Sequence, residues 1–368
     1  MKTPLRSFMD DITTLVRGEE VTRKMLKRLD ELIDWSRMKF KAKKSRSVTF
    51  RKGIQKEVRF FIGGDPIPTV KEKPVKSLGR LYQKALSDRG QGIDVQKTIE
   101  DGLKGIDKTS LPGKFKCWCL QFVLYPRVLW PMMIYEIAMS RIEIIEQRCN
   151  RYIRKWLGLP RMITTTALYG RSCPLTLPLA SIKEEFKAGK VRTVMTLRYS
   201  KDDKIRDDPP EVRSGKKWSA ETAVNDLIGQ LEHKDIIGSV QTNRVCLGAR
   251  SFKPFCASNA AEKRKAIVNE LRLSEDEERR VKLVQCSVQG QCLQWESLTV
   301  ERKITWKEIW AWETARTSFL IKSTYDVLPS PENLKRWKLG EDDKCRCGEK
   351  GTMKHILSHC PLGLDRRT

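Results

Sequence analysis

Phe8-Met9-Asp10-Asp11-Ile12-Thr13-Thr14-Leu15-Val16 sets two adjacent carboxylates at the head of a β-branched run. Such residues favour strands. With Leu5 and Phe8 in front, the acidic pair reads as the tip of a β-hairpin. A solvated surface turn is one reading of it. A site for phosphoryl transfer is the other, because hard oxygen ligands hold Mg²⁺ and the metals clamp attacking and leaving oxygens. Asp-Asp recurs at Asp202-Asp203, Asp207-Asp208 and Asp342-Asp343. Those pairs sit among Lys, Arg, Gly and Pro and read as solvated loops.

The chain has 368 residues, enough for two or three domains, and 39% are hydrophobic, so cores can form. Its formal net charge is +26, a field that favours phosphate backbones or, less often, anionic membrane surfaces. Eleven scattered cysteines, without a signal peptide, imply reduced thiols in an intracellular setting, the nucleus or cytoplasm. The most membrane-like run, Cys117 to Met139, contains Pro126, Arg127, Pro131 and Glu136. It is expected to form a buried helical pair, with no membrane partner.

An amphipathic helix is expected over Glu19 to Trp35, with Val21, Met25, Leu29, Leu32 and Ile33 as a core stripe. Arg37 to Lys52 holds eight Lys or Arg and no acid. It reads either as a solvated face or as a strand pair tracking phosphates. Val58 to Ile62 is strand-like, Gly63-Gly64-Asp65 is a turn, and Val75 to Gly79 reads locally as an edge strand. From Ile93 to Pro160 the pattern is helical. Val95, Ile99, Leu103 and Ile106 mark one helix, and Pro112 opens another. Ser140 to Glu143 is a capping box ahead of the stripe Ile142, Ile145, Cys149, Tyr152, Ile153 and Trp156. Asp202 to Lys217, with Pro209-Pro210, is the linker candidate. Helices follow near 219–231 and 260–284, a second capping box at Thr305 to Glu308, and a short helix from Ser330-Pro331 to Gly340.

The C-terminal stretch reads Cys345-x-Cys347-x7-His355-x4-Cys360. Two thiolates on a tight turn and a His/Cys pair can close a tetrahedron around Zn²⁺. A segment with so little core needs the metal for folding energy. His359 competes with His355 as a ligand. The pairs Cys117/Cys119 and Cys286/Cys292 have no nearby His and read as buried thiols.

Taken in order, these pieces resemble the reverse transcriptase of non-LTR retrotransposons. Phe8-Met9-Asp10-Asp11 is similar to motif C, and Met38-Lys39-Phe40 through Lys44-Ser45 to motif D. Val75-Lys76-Ser77-Leu78-Gly79 resembles motif E, the primer grip, and Arg154 to Pro160 a segment that follows the thumb. The Cys/His cluster, with His355-Ile356-Leu357, resembles the family's zinc knuckle. The resemblance implies an α+β fold: a small hairpin and sheet remnant of a polymerase palm (1–90), a helical thumb (91–200), a helical linker region (201–340) and a knuckle (341–368). It implies Mg²⁺ on Asp10 and Asp11, and Lys44 as general acid toward pyrophosphate. It implies Zn²⁺ on Cys345, Cys347, His355 and Cys360. Lys41, Lys43, Arg46, Lys76 and Gly79 would lie along nucleic acid, an RNA template with a DNA primer or their hybrid.

The departures matter equally. Seven residues precede Phe8, so the fingers, the motif A carboxylate and motif B have no counterpart here, and Lys41 stands where motif D commonly has Asn. The chain is therefore expected not to polymerise DNA alone, and to use dNTPs only if the missing parts are supplied. The alternative is a non-catalytic, basic nucleic-acid-binding protein with a zinc knuckle.

Overall fold

The structure, a computed structural model, describes residues 5–8, 11–77, 79–82, 88, 90–171, 175–237, 254–294 and 302–364. It is a mixed α+β chain, mostly helical, with small two-stranded sheets. The chain divides into two compact units, Met1–Arg89 and Gly90–Thr368.

The first unit is built from hairpins around one helix. β1 (Leu5–Phe8) pairs antiparallel with β2 (Asp11–Thr14), Phe8 opposite Asp11. Helix α1 (Glu19–Trp35) follows. Three more antiparallel hairpins are β3 (Thr49–Arg51) with β4 (Ile54–Lys56), β5 (Phe60–Ile62) with β6 (Asp65–Ile67), and β7 (Val75–Ser77) with β8 (Arg80–Tyr82). Their two-residue turns use positive φ. Gly63 and Gly64 both adopt it in the second of these hairpins, the geometry that matches strand twist. A small cluster of Ala42, Phe60, Ile62 and Ile67 forms the core, with Leu26 of α1 against it. The Gly63 amide donates to Asp30 Oδ2 at 2.8 Å and ties the turn to the helix.

The α1 stripe corrects the sequence reading. No residue of α1 is buried, and Val21 and Leu32 are 50% and 59% exposed. Periodicity identifies an apolar face, and this unit's core reaches only its Leu26 side.

The second unit packs α2 (Gln91–Lys108) on α5 (Met139–Trp156). Between them in sequence, α3 (Gly113–Cys119) continues through a π-helical turn, Leu120–Leu124, into α4 (Tyr125–Ile134). The expected pair is thus one helical run. The π turn lets it pass Pro126, whose missing N–H falls in the first turn of α4. The run has the length and hydropathy of a membrane span by composition, and a third of that stretch is buried within the unit. Val95, Ile99 and Leu103 of α2 and Ile142, Ile145, Cys149, Ile153 and Trp156 of α5 are buried, as their spacing indicated. Ser140 is not a cap: α5 starts two residues earlier than that reading implies, with Ala138 as N-cap and buried Met139 inside. Gly113 sits against the end of α5, where an added Cβ would lie 1.7 Å from the Trp156 carbonyl oxygen.

Next come α6 (Thr165–Tyr169), β9 (Leu175–Thr176), α7 (Ile182–Arg198), α8 (Asp203–Asp207), α9 (Ala220–Ile237) and α10 (Ala260–Val284). Segment 202–217 lies inside this unit, with Ser214 buried and Val212 packed on the α7/α9/α10 cluster. After β10 (Arg302–Lys303), parallel to β9, follow α11 (Trp306–Ala311), α12 (Thr314–Thr324), α13 (Pro331–Arg336) and α14 (Pro361–Leu364). The Thr305/Glu308 capping box and the Ser330 cap are both formed. One hydrophobic cluster runs from Val95 to Val327, so 91–200 and 201–340 share a core. Among the cysteines, Cys117, Cys149 and Cys292 are buried, Cys119 is half-buried and Cys286 is exposed.

Buried charge fixes α7 on α10. Glu184 receives Arg171, Arg272 and Arg279, the last at 2.9 Å. Glu275 receives Lys183 at 3.3 Å and also Lys187. Burial pushes the Glu275 carboxyl up, but Lys187 and Lys183 outweigh that and hold it below the ordinary value. Its stabilisation is therefore full above the ordinary 4.5 and is lost as pH falls through the lowered value. Glu275→Gln is expected to destabilise the fold by about 3–5 kcal/mol, because two lysines lose their counter-ion. Thermal melts at neutral pH and at pH about 3 measure this. The difference between variant and parent should shrink at the lower pH.

Candidate metal centre and basic groove

Residues 341–364 have few apolar side chains, so their conformation rests on turns and polar ties. The Cys345 amide donates to the Glu349 carbonyl at 2.7 Å, and the Gly348 amide to the Cys345 carbonyl at 2.9 Å. Gly348 takes φ 92°, a conformation that favours glycine. This tight turn aims both Cys345 and Cys347 to one side. Ion pairs of Lys335 with Asp343 and of Lys350 with Glu332, each at 2.9 Å, hold it to α13.

The second ligand pair comes from a π-helical turn, His355–His359, ending at Cys360. The wide turn, with i to i+5 backbone bonding, is followed by Cys360 in extended conformation, which returns its thiol toward His355 and the other two cysteines. The Thr352 hydroxyl accepts the His355 amide at 3.0 Å and starts the turn.

Cys345 Sγ lies 3.6 Å from Cys360 Sγ, and Cys347 Sγ lies 3.0 Å from His355 Nε2. The four ligand atoms lie within 4.8 Å of one another. Tetrahedral zinc, with bonds of about 2.0–2.3 Å, needs separations of about 3.5–3.8 Å, so little adjustment is required. The group can hold a zinc ion. His359 is exposed and its ring pairs with the Ser358 hydroxyl at 2.6 Å, so it stands outside the group. The Cys347 backbone amide chiefly, then Cys360 and His355, pull the Cys345 thiol down to about 7. A thiolate is thus accessible near neutrality, as metal capture requires.

The other expected site residues lie in the first unit. Asp11 closes the β1–β2 pairing opposite Phe8 and is exposed, while Met9 and Asp10 lie outside the described residues. Lys41, Lys43 and Lys44 are exposed at a turn. No hydrogen bond or ion pair joins Asp11 to Lys44, and no carboxylate cluster gathers at Asp11 among the described residues. The Arg46 guanidinium is committed to its own chain, donating to the carbonyls of Lys73 at 2.8 Å and Lys43 at 2.7 Å. Lys76 is exposed on β7, and Gly79 takes φ 86° between β7 and β8. Leu78 lies outside the described residues.

Sequence reading missed a basic groove in the second unit. Lys104 of α2 and Arg148, Arg151 and Lys155 of α5 line it with Tyr152 and a single acid, Glu100. The signal was present: Arg148, Arg151 and Lys155 follow i, i+3, i+7 spacing on α5.

Compared with known proteins, the chain matches no family model and no curated protein.

Metal analysis of the purified chain is expected to give one zinc per molecule, retained in His359→Ala and lost in Cys347→Ser, His355→Ala and Cys360→Ser. Unchanged zinc in the last three variants would dismiss the centre.

Proposed function

We propose that this chain is a partial reverse transcriptase of the non-LTR retrotransposon lineage, which holds template and primer and does not polymerise alone. The observation that carries this reading is the hairpin register, Phe8 opposite Asp11, with two residues between the strands. It suits a motif C turn, and the Cys₃His group stands at the other end of the chain, in the order the resemblance implies. In this reading zinc fills that group. Asp10 and Asp11 are the surviving Mg²⁺ ligands, and Lys44 is the proton donor to the leaving group. Two-metal transfer needs its full ligand set, and among the described residues no further carboxylate gathers at Asp11, so in this reading the chain does not polymerise alone.

A second reading, non-catalytic nucleic-acid binding, is favoured by the α2/α5 groove. Its cations suit a phosphate backbone in either case, although Lys104, Arg148 and Lys155 also pair with Asp101, Glu100 and Asp107, which phosphates would have to displace or share. The two readings separate on ligand shape. A polymerase-derived thumb grips A-form geometry and prefers an RNA–DNA hybrid to B-form DNA, whereas a general basic binder does not discriminate.

Primer extension with purified chain, template RNA, Mg²⁺ and dNTPs is expected to give no product. Hybrid binding, read by fluorescence anisotropy across a salt series, is expected to fall steeply with salt. The double variant Arg148→Ala/Arg151→Ala should reduce that log–log slope by about 2. Robust extension would overturn the inactivity, and equal affinity for hybrid and duplex DNA would favour the second reading.

A further inference from the structure

Five aromatic side chains on the second unit form a cluster, four of them in a ring with Phe115 against Trp310, that neither the zinc centre nor the groove uses. Phe115, Trp118 and Phe122 lie at i, i+3, i+7 along the α3 run, and Trp306 and Trp310 lie at i, i+4 on α11. Centroid distances within the cluster are 4.8 Å for Phe115–Trp310, 5.4 Å for Trp118–Phe122, 5.5 Å for Phe122–Trp306 and 6.2 Å for Trp306–Trp310. Trp118 closes the ring of four on Trp310 at 6.3 Å. Every interplanar angle lies between 37° and 61°, so no ring is stacked face to face on a neighbour.

This cluster is not interior. Trp118, Phe122 and Trp310 are 38%, 48% and 37% exposed, while the opposite face of the same helical run carries the buried Cys117, Leu120 and Leu124. Leaving large aromatic area in water is unfavourable, and here the rings are anchored. Lys114 Nζ donates to the carbonyls of Trp310 at 2.9 Å and Trp312 at 2.7 Å, which joins α3 to the end of α11. Gly113 locks the start of α3 against α5.

The surroundings are cationic. Lys114 and Lys116 bond to backbone carbonyls rather than carboxylates, so their charges are not neutralised by those contacts. Arg316 lies over the Trp312 ring at 5.0 Å, and Lys307 is exposed on α11. The acids are Glu308, held in its capping box and by Arg302, Glu313, and Asp107, which lies beside Lys116 and is paired with Lys155. Exposed aromatic rings beside Lys114, Lys307 and Arg316 match a ligand that alternates planar bases with phosphates.

We propose that this aromatic ring is a stacking platform for single-stranded nucleic acid, with its bases on Trp118, Phe122 and Trp310 and its phosphates on the flanking lysines. A duplex, whose bases are already stacked, cannot use it. The inference shares with the proposed function only the class of ligand, and the surface would serve a chain of any ancestry.

The test measures binding of an oligothymidylate and an oligouridylate of about fifteen nucleotides, and of a duplex, by fluorescence anisotropy. Trp118→Ala and Trp310→Ala are each expected to weaken single-strand binding about tenfold and to leave duplex binding within about twofold. Trp118→Phe, which keeps a stacking face, should restore most of the affinity. Trp130→Ala, which removes an exposed tryptophan outside the ring, should change nothing. Thermal melts of each variant check folding. Single-strand affinity unchanged in both alanine variants overturns the platform while leaving the proposed function standing. Equal loss for single strand and duplex, without rescue by Phe, also overturns it and makes the ring structural. Loss of binding to phosphatidylserine vesicles in Trp118→Ala, with oligonucleotide binding intact, overturns it in favour of a membrane surface. A parent chain that binds neither form of nucleic acid defeats both proposals.

Discussion

Two carboxylates in the interior of the second unit set its architecture. Glu184 on α7 and Glu275 on α10 are almost fully buried and are met by five cations from α7, α10 and the segment after α6. An isolated buried charge costs several kcal/mol, so every partner must arrive together. The Lys187–Glu275, Arg272–Glu184 and Arg279–Glu184 pairs and the Arg171 amide bond to Asp276 span 88 to 105 positions. They specify one way to lay α10 on α7, where apolar contacts alone would tolerate sliding. With the same economy, Lys190 donates to the carbonyls of Met133 and Tyr135 at 3.0 Å each and caps the end of α4.

The metal centre answers the same problem on a smaller scale. Its segment cannot rely on apolar burial, and Met353 and Cys360 are its buried apolar side chains. Turn geometry therefore does the positioning: a glycine at positive φ for two thiols, and a widened helical turn for the other pair. Preformed ligands lower the ordering entropy that metal capture must offset. Together with the groove and the aromatic ring, this gives the unit three surfaces of distinct chemistry.

Features set by local periodicity were legible in the sequence. The α2 and α5 stripes and the Thr305/Glu308 box follow from spacing alone, whereas spacing left His359 competing with His355 and the structure gathers His355 with the three thiols. Ser140 misled because a hydroxyl three residues before Glu143 satisfies a capping pattern, while burial of Met139 moved the helix start. The α1 stripe misled because amphipathicity names a face without naming its cover. The charge network was invisible, since lysines and glutamates on α7 and α10 look like solvated faces until the helices meet. Arg46 is similar: a basic run suggests phosphates, and the fold turns its guanidinium onto carbonyls.

The hairpins of the first unit carry a further implication. Each belongs to a sheet of two strands, so every strand keeps one edge with unsatisfied ladder groups. Arg51, Lys56, Lys76 and Arg80 sit on those strands. Like charges of this kind keep neighbouring copies from zipping together. Their range shrinks to about 3 Å at molar ionic strength. Concentrated salt thus strips the colloidal protection from these margins, and the polypeptide is best handled dilute and at modest ionic strength.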